Sequence, residues 1–215
     1  MKKKYIILVV ILVILVAGGV SAYLYLNKAK TSTPAQNNGL QIYRNNTHGF
    51  SIGYAKNYSF YNGEDPYFTV GEFFVGVGAP IATIELPTNS YPNTNYYDSF
   101  LMLSAATKDV PDLSVENCTK AQRQEDTQIV GLSDTKTING RVFYRGEADG
   151  AAAGTLVKTR IYHTVFNNTC FEASLSIVEG NIDNYPQGTV HQFDEQDVWD
   201  KLETVLSTIV FNSTK

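Results

Sequence analysis

Read for its pattern of apolar and polar positions, the chain divides into three regimes. Residues 5–26, YIILVVILVILVAGGVSAYLYL, form an uncharged run of 22 residues, and a helix of that length rises roughly 30 Å, the thickness of a bilayer's hydrocarbon core. Beyond it, short runs rich in β-branched and aromatic residues recur at 41–44, 50–55, 73–78, 81–86, 137–148, 154–166 and 170–178, bounded by Gly, Asn and Pro. These read as strands. Asn139-Gly140 and Asn167-Asn168 are turn dipeptides, and Asp149-Gly150 with the following Ala-Ala-Ala-Gly reads as a longer hairpin tip. Successive hairpins imply an antiparallel sheet. The third regime has helical spacing. Tyr97, Phe100, Leu101 and Ser104 share one side of a helix expected over 94–107. Val198, Leu202, Val205, Leu206 and Ile209 form the stripe of a second helix, which Asp194 caps and Glu195 and Asp197 open with acidic charge. The expected class is α+β, an antiparallel sheet covered by helices, with an N-terminal transmembrane helix.

The uncharged run fits two descriptions, a cleaved signal peptide ending near Val20-Ser21-Ala22 or a retained anchor. The anchor is the better reading, because the apolar run continues through Leu26 and places Tyr23 and Tyr25 where amphipathic rings favour the membrane interface. Residues 1–4 are then a cytoplasmic basic tip, 5–26 a signal-anchor helix in the lipid bilayer, 27–41 a polar linker and 42–215 an extracytoplasmic domain. Lys2, Lys3 and Lys4 before the span outweigh Lys28 and Lys30 after it, which keeps the N-terminus in the cytoplasm. Setting those five lysines aside leaves 12 basic residues against 21 acidic ones, a formal charge of −9. Such a surface repels nucleic acid. The localisation expected is a single-pass protein of the cell membrane.

Candidate chemistry is sparse. Gly49-Phe50-Ser51-Ile52-Gly53 fits the G-x-S-x-G form of a hydrolase nucleophile elbow, and Asp183 and His191 follow in hydrolase order. An elbow needs a sharp strand-to-helix turn at the serine. Here Phe50, Ile52 and Tyr54 alternate as a strand continues through Ser51, so no catalytic residue is assigned. His48, His163 and His191 lack the close spacing of metal ligands, no phosphate-binding or dinucleotide fingerprint occurs, and neither metal nor cofactor is expected. The aromatic-dense stretches 67–77 and 89–97 read as core filling, with an exposed surface for a protein or glycan partner as the alternative. Cys118 and Cys170 make an even pair in a domain expected outside the membrane, where oxidising conditions favour a bridge.

The stretch YRNNTHGFSIGYAKNYSF (43–60) resembles the opening of the PsbP-like domain family, in which a Tyr-Asn hairpin leads into a Gly-Phe-Ser strand. Ala55-Lys56 stands where that family carries proline. FDEQDVWDKLETVLSTIVF (193–211) resembles the family's closing amphipathic helix and Leu-Ser-Thr-aromatic ending. The chain is also similar to membrane-anchored envelope proteins of bacteria. The resemblance implies a PsbP-like α/β sandwich acting as a noncatalytic binding or assembly module outside the membrane, with an envelope protein or glycan as partner. Two other classes compete: a cell-surface serine hydrolase using Ser51, and a pilin-like structural subunit.

Overall fold

The computed structural model describes residues 39–63, 79–106, 115, 118 and 130–212, and Leu40–Lys215 form one compact unit. The membrane span expected at 5–26, the basic tip, most of the linker and the strand expected at 73–78 lie outside the described residues. Among the described residues no helix is long and apolar enough to cross a membrane.

Ten strands and one α-helix occur among the described residues, in the order β1 (Gln41–Asn45), β2 (Phe50–Tyr54), β3 (Ser59–Tyr61), β4 (Ala79–Glu85), β5 (Tyr96–Ala105), β6 (Val130–Ile138), β7 (Arg141–Ala152), β8 (Thr155–Phe166), β9 (Thr169–Gly180), α1 (Glu195–Ser207) and β10 (Val210–Phe211). Seven strands form an antiparallel sheet ordered β3-β4-β5-β9-β8-β7-β6, and β1-β2-β10 form a smaller one. The antiparallel α+β class expected from the sequence is the one that forms.

Three tight hairpins generate the right half of the large sheet. Ile138 pairs Arg141, Ala152 pairs Thr155 and Phe166 pairs Thr169, so each loop holds two residues. All six loop residues have positive φ: Asn139, Gly140, Ala153, Gly154, Asn167 and Asn168. That geometry matches the right-handed twist of the flanking strands. Two of these turns are the Asn dipeptides read from the sequence. The third falls at the end of the longer tip expected over 149–154: Asp149 and Gly150 lie within β7, opposite Lys158 and Val157, and the chain reverses at Ala153-Gly154. Alanine seldom adopts positive φ, so local composition did not mark which pair within that tip makes the turn. The register of the long β7–β8 ladder decides the turn instead.

A larger correction concerns 94–107, where a strand stands in place of the expected helix. β5 lies between β4 and β9 and is buried at every position except Tyr97. Leu101, Leu103 and Ala105 enter the main core, while Phe100 and Met102 join Val157 and Val178 on the opposite face. A strand buried on both faces loses its polar alternation, and a near-continuous apolar run matches helical spacing by default.

On one face of the sheet α1 and the small sheet lie side by side over a single core. Val198, Leu202 and Leu206 of α1 are fully buried, and they cluster with Leu175 and Ile177 of β9 and Ile52 of β2. Phe211 packs against Phe50, Phe166 and Phe171 with ring centres 5.0–6.1 Å apart. The Asp194 carboxylate accepts from the Asp197 N–H at 3.1 Å, capping the helix as its sequence implied. At the other end Asn139 Nδ2 donates to the carbonyls of Ser207 (2.8 Å) and Ile209 (2.7 Å), so the β6–β7 turn satisfies acceptors that a helix end leaves open.

Candidate functional site

Among the described residues, two places have the makings of a site. The first is an apolar pocket of about 210 Å³ between β2 and α1. Leu40, Tyr54, Tyr58, Val205 and Thr208 line it, and Lys201 provides cationic charge. Lys201 Nζ bonds Asp197 Oδ2 at 2.6 Å and Tyr91 Oη at 2.8 Å, which fixes the ammonium beside the pocket. Burial alone would lower the Lys201 pKa, but these contacts outweigh it and hold it above its ordinary value. The Gly53 N–H donates to Thr208 Oγ1 at 2.7 Å, locking the two walls together.

The second is a buried polar patch on the sheet face opposite α1. His163 on β8 is 3% exposed and Glu172 on β9 is 1% exposed. They are direct cross-strand partners. His163 Nε2 lies 2.6 Å from Glu172 Oε2, and its Nδ1 lies 2.8 Å from the carbonyl oxygen of Cys118. A carbonyl only accepts, so Nδ1 is the donor of that contact, and the Nε2–Oε2 contact is a hydrogen bond between ring and carboxyl. Ser174 donates to Glu172 Oε1 at 2.7 Å. Ser104, opposite Glu172 on β5, is buried with no hydrogen-bond partner for its hydroxyl among the described residues. Cys118 and Cys170 form a disulfide beside this group, with both residues buried. The two sulfurs and a His163 ring nitrogen all lie within 4.8 Å of one another.

The sequence singled out the cysteines but not the patch they adjoin. A usable signal was present, because His163 sits four residues before the Asn167-Asn168 turn and Glu172 four residues after it. A two-residue hairpin loop places such positions opposite each other. Their burial was not legible, since charged side chains are mostly exposed.

The remaining candidates separate. Ser51 lies mid-strand in β2 between Arg44 and Val210, with no strand-to-helix turn at the serine. Asp183 belongs to a 3-10 turn after β9, and His191 bridges Thr94. His48 closes the β1–β2 turn, its N–H donating to Asn45 Oδ1 at 2.9 Å. Tyr91, Tyr96 and Phe193 stack within 4.8–5.9 Å, so this part of the 89–97 stretch fills the core. The 67–77 stretch lies outside the described residues.

An ionic belt fastens α1 to the sheet. Glu203 accepts from Lys136 (2.5 Å), Arg160 (2.7 Å) and the Tyr162 hydroxyl (3.1 Å). Glu195 accepts from Lys158 at 2.6 Å and from the Trp199 indole at 2.9 Å. The Arg160 guanidinium lies 4.2 Å from the centre of the Trp199 ring, a cation–π contact. Burial alone would raise both carboxyls, but these donors outweigh it and hold them below the ordinary glutamate range.

No protein-family model and no curated protein matches the chain. Among solved structures it is similar to a protein of Bacteroides thetaiotaomicron, with 14% identity, 81% of this chain covered and a TM-score of 0.42. The chain spans 49% of that protein's length. It is also similar to the cyanobacterial PsbP of Synechocystis, at 11% identity and TM-score 0.43, covering 84% of this chain and 97% of that one. LpqN of Mycobacterium tuberculosis, described as involved in cell envelope biogenesis, matches at 11% identity and TM-score 0.39, covering 82% and 93%. Scores this low leave the fold description resting on strand order and register.

Proposed function

We propose that the protein is a single-pass, N-in membrane protein whose domain acts outside the membrane as a binding or assembly module without catalysis. The observation that carries this is the buried Cys118–Cys170 disulfide in a chain that opens with an uncharged 22-residue run behind three lysines. Structural disulfides belong to oxidising compartments, and the lysine asymmetry sends the domain to one. The pocket between β2 and α1 is where a ligand would engage, since an apolar concavity with a few polar groups is the usual form of a binding site. Its lining suits an aliphatic or aromatic group carried by an envelope protein or a glycan-linked partner.

Protease added to intact spheroplasts tests the topology. Loss of the domain with survival of a small membrane-embedded stub is expected. Protection of the domain until the membrane is lysed, or a soluble form starting near Tyr23, overturns the reading. A photoreactive phenylalanine in place of Tyr58 tests the pocket in the same cells. It should give a defined adduct that the same group at Val142, exposed on β7, does not give, and equal labelling from both positions refutes binding at the pocket.

A further inference from the structure

We propose that reduction of the Cys118–Cys170 disulfide uncovers a buried site for a thiophilic divalent cation such as zinc, held by both thiolates and Nδ1 of His163. Three potential donors already lie within 4.8 Å of one another. They are also enclosed, at 0% exposure for Cys118, 1% for Cys170 and 3% for His163. Two thiolates and an imidazole form a soft set that suits zinc or cobalt and not magnesium or calcium.

The arrangement behind the ring is what distinguishes this group from a chance encounter. A histidine ligand commonly gives its other N–H to a carboxylate, which orients the ring and raises its basicity. Here Glu172 occupies Nε2 at 2.6 Å, and Ser174 holds the second carboxylate oxygen at 2.7 Å. That leaves Nδ1, which faces Cys118 through the carbonyl contact at 2.8 Å. Two of the three ligands stand on paired strands, His163 opposite Glu172 and Cys170 opposite Val165. In a tetrahedral site with metal–sulfur distances near 2.3 Å the sulfurs sit roughly 3.8 Å apart. Cys118 lies off the sheet, so the adjustment falls on it. The Ser104 hydroxyl, opposite Glu172 and without a partner among the described residues, adds one more polar group to the patch.

The chemistry balances with a phosphine as reductant. The phosphine attacks one sulfur and the S–S bond breaks. Water then supplies the oxygen of the phosphine oxide and the two protons of the thiols, while phosphorus loses the two electrons that the sulfurs gain. Cation binding releases both thiol protons and the Nδ1 proton, whose place the metal takes.

The test is titration of the purified full-length chain with Co²⁺ alone, after phosphine reduction under anaerobic conditions. The reduced chain should develop thiolate-to-cobalt charge transfer in the near ultraviolet and the strong visible bands of a tetrahedral centre, saturating at one equivalent. The oxidised chain should show neither. His163→Gln should shift the visible bands and weaken binding, and Glu172→Gln should leave the bands in place while weakening binding about 10–100-fold. Absence of charge transfer in the reduced chain overturns the proposal. So does an unchanged affinity in both variants, which would mean thiols binding cobalt without the histidine. Loss of the sheet's far-ultraviolet dichroism on reduction overturns it equally, because the site needs the β8–β9 ladder intact. If His163→Gln does not fold, the Glu172→Gln affinity decides the histidine's part.

Discussion

Reducing the Cys118–Cys170 disulfide perturbs the protein without changing a side chain, so its cost can be worked from topology. The bridge closes 52 residues, a stretch that includes all of β6, β7 and β8. In the chain-entropy model, cross-linking a loop of that length removes about 14 cal/mol/K from the unfolded ensemble, roughly 4 kcal/mol at 25 °C. Both cysteines keep their sulfurs as small apolar thiols, so the difference reports mainly the loss of the cross-link. For a domain of this size each kcal/mol moves the melting midpoint by about 2–4 °C, giving an expected fall of roughly 8–16 °C. Urea denaturation with and without phosphine checks the mechanism as well as the magnitude. A chain freed of its cross-link expands further when unfolded, so the reduced protein should have the larger m-value. A loss below about 1 kcal/mol with an unchanged m-value would refute the entropic account. It would mean that the unfolded chain already holds these residues together.

The other perturbations act on the face that carries α1. Leu202 is fully buried between the helix and the sheet, and Leu202→Ala should cost about 2–5 kcal/mol in a denaturant titration, the cost of lost transfer plus a cavity. Glu203→Ala should cost about 1–3 kcal/mol, because Lys136, Arg160 and the Tyr162 hydroxyl all lose their acceptor. The same carboxylate predicts a pH dependence. Its folded pKa lies below the ordinary 4.5, so its contribution is complete above that value and is lost as pH falls through the folded pKa. Stability measured across that interval should fall less steeply in Glu203→Ala than in the parent, and parallel curves would remove Glu203 from the explanation.

What could be read from the sequence were features whose cause is local. The stripe Val198, Leu202, Val205, Leu206 with its Asp194 cap needed only helical spacing and one acceptor side chain, and α1 runs where that pattern placed it, stopping at Ser207 short of Ile209, the stripe's expected last member. Asn139-Gly140 and Asn167-Asn168 set their turns because Asn and Gly tolerate the left-handed conformation that a two-residue hairpin demands. Tertiary structure decided the rest. Segment 96–105 is a strand because β4 and β9 pair both of its edges while both of its faces are buried, and its Leu, Met and Ala residues carry no local preference strong enough to resist. Ala153 turns the chain although its own side chain disfavours that conformation, since the β7–β8 register leaves it at the tip. The buried patch is the extreme case. His163, Glu172 and Ser174 become partners across one hairpin, and Cys118 reaches them from 45 residues away in sequence through a carbonyl oxygen that every residue possesses. No residue type marks such a contact in advance, because its cause is the strand pairing that removes these polar groups from water and leaves them one another as partners.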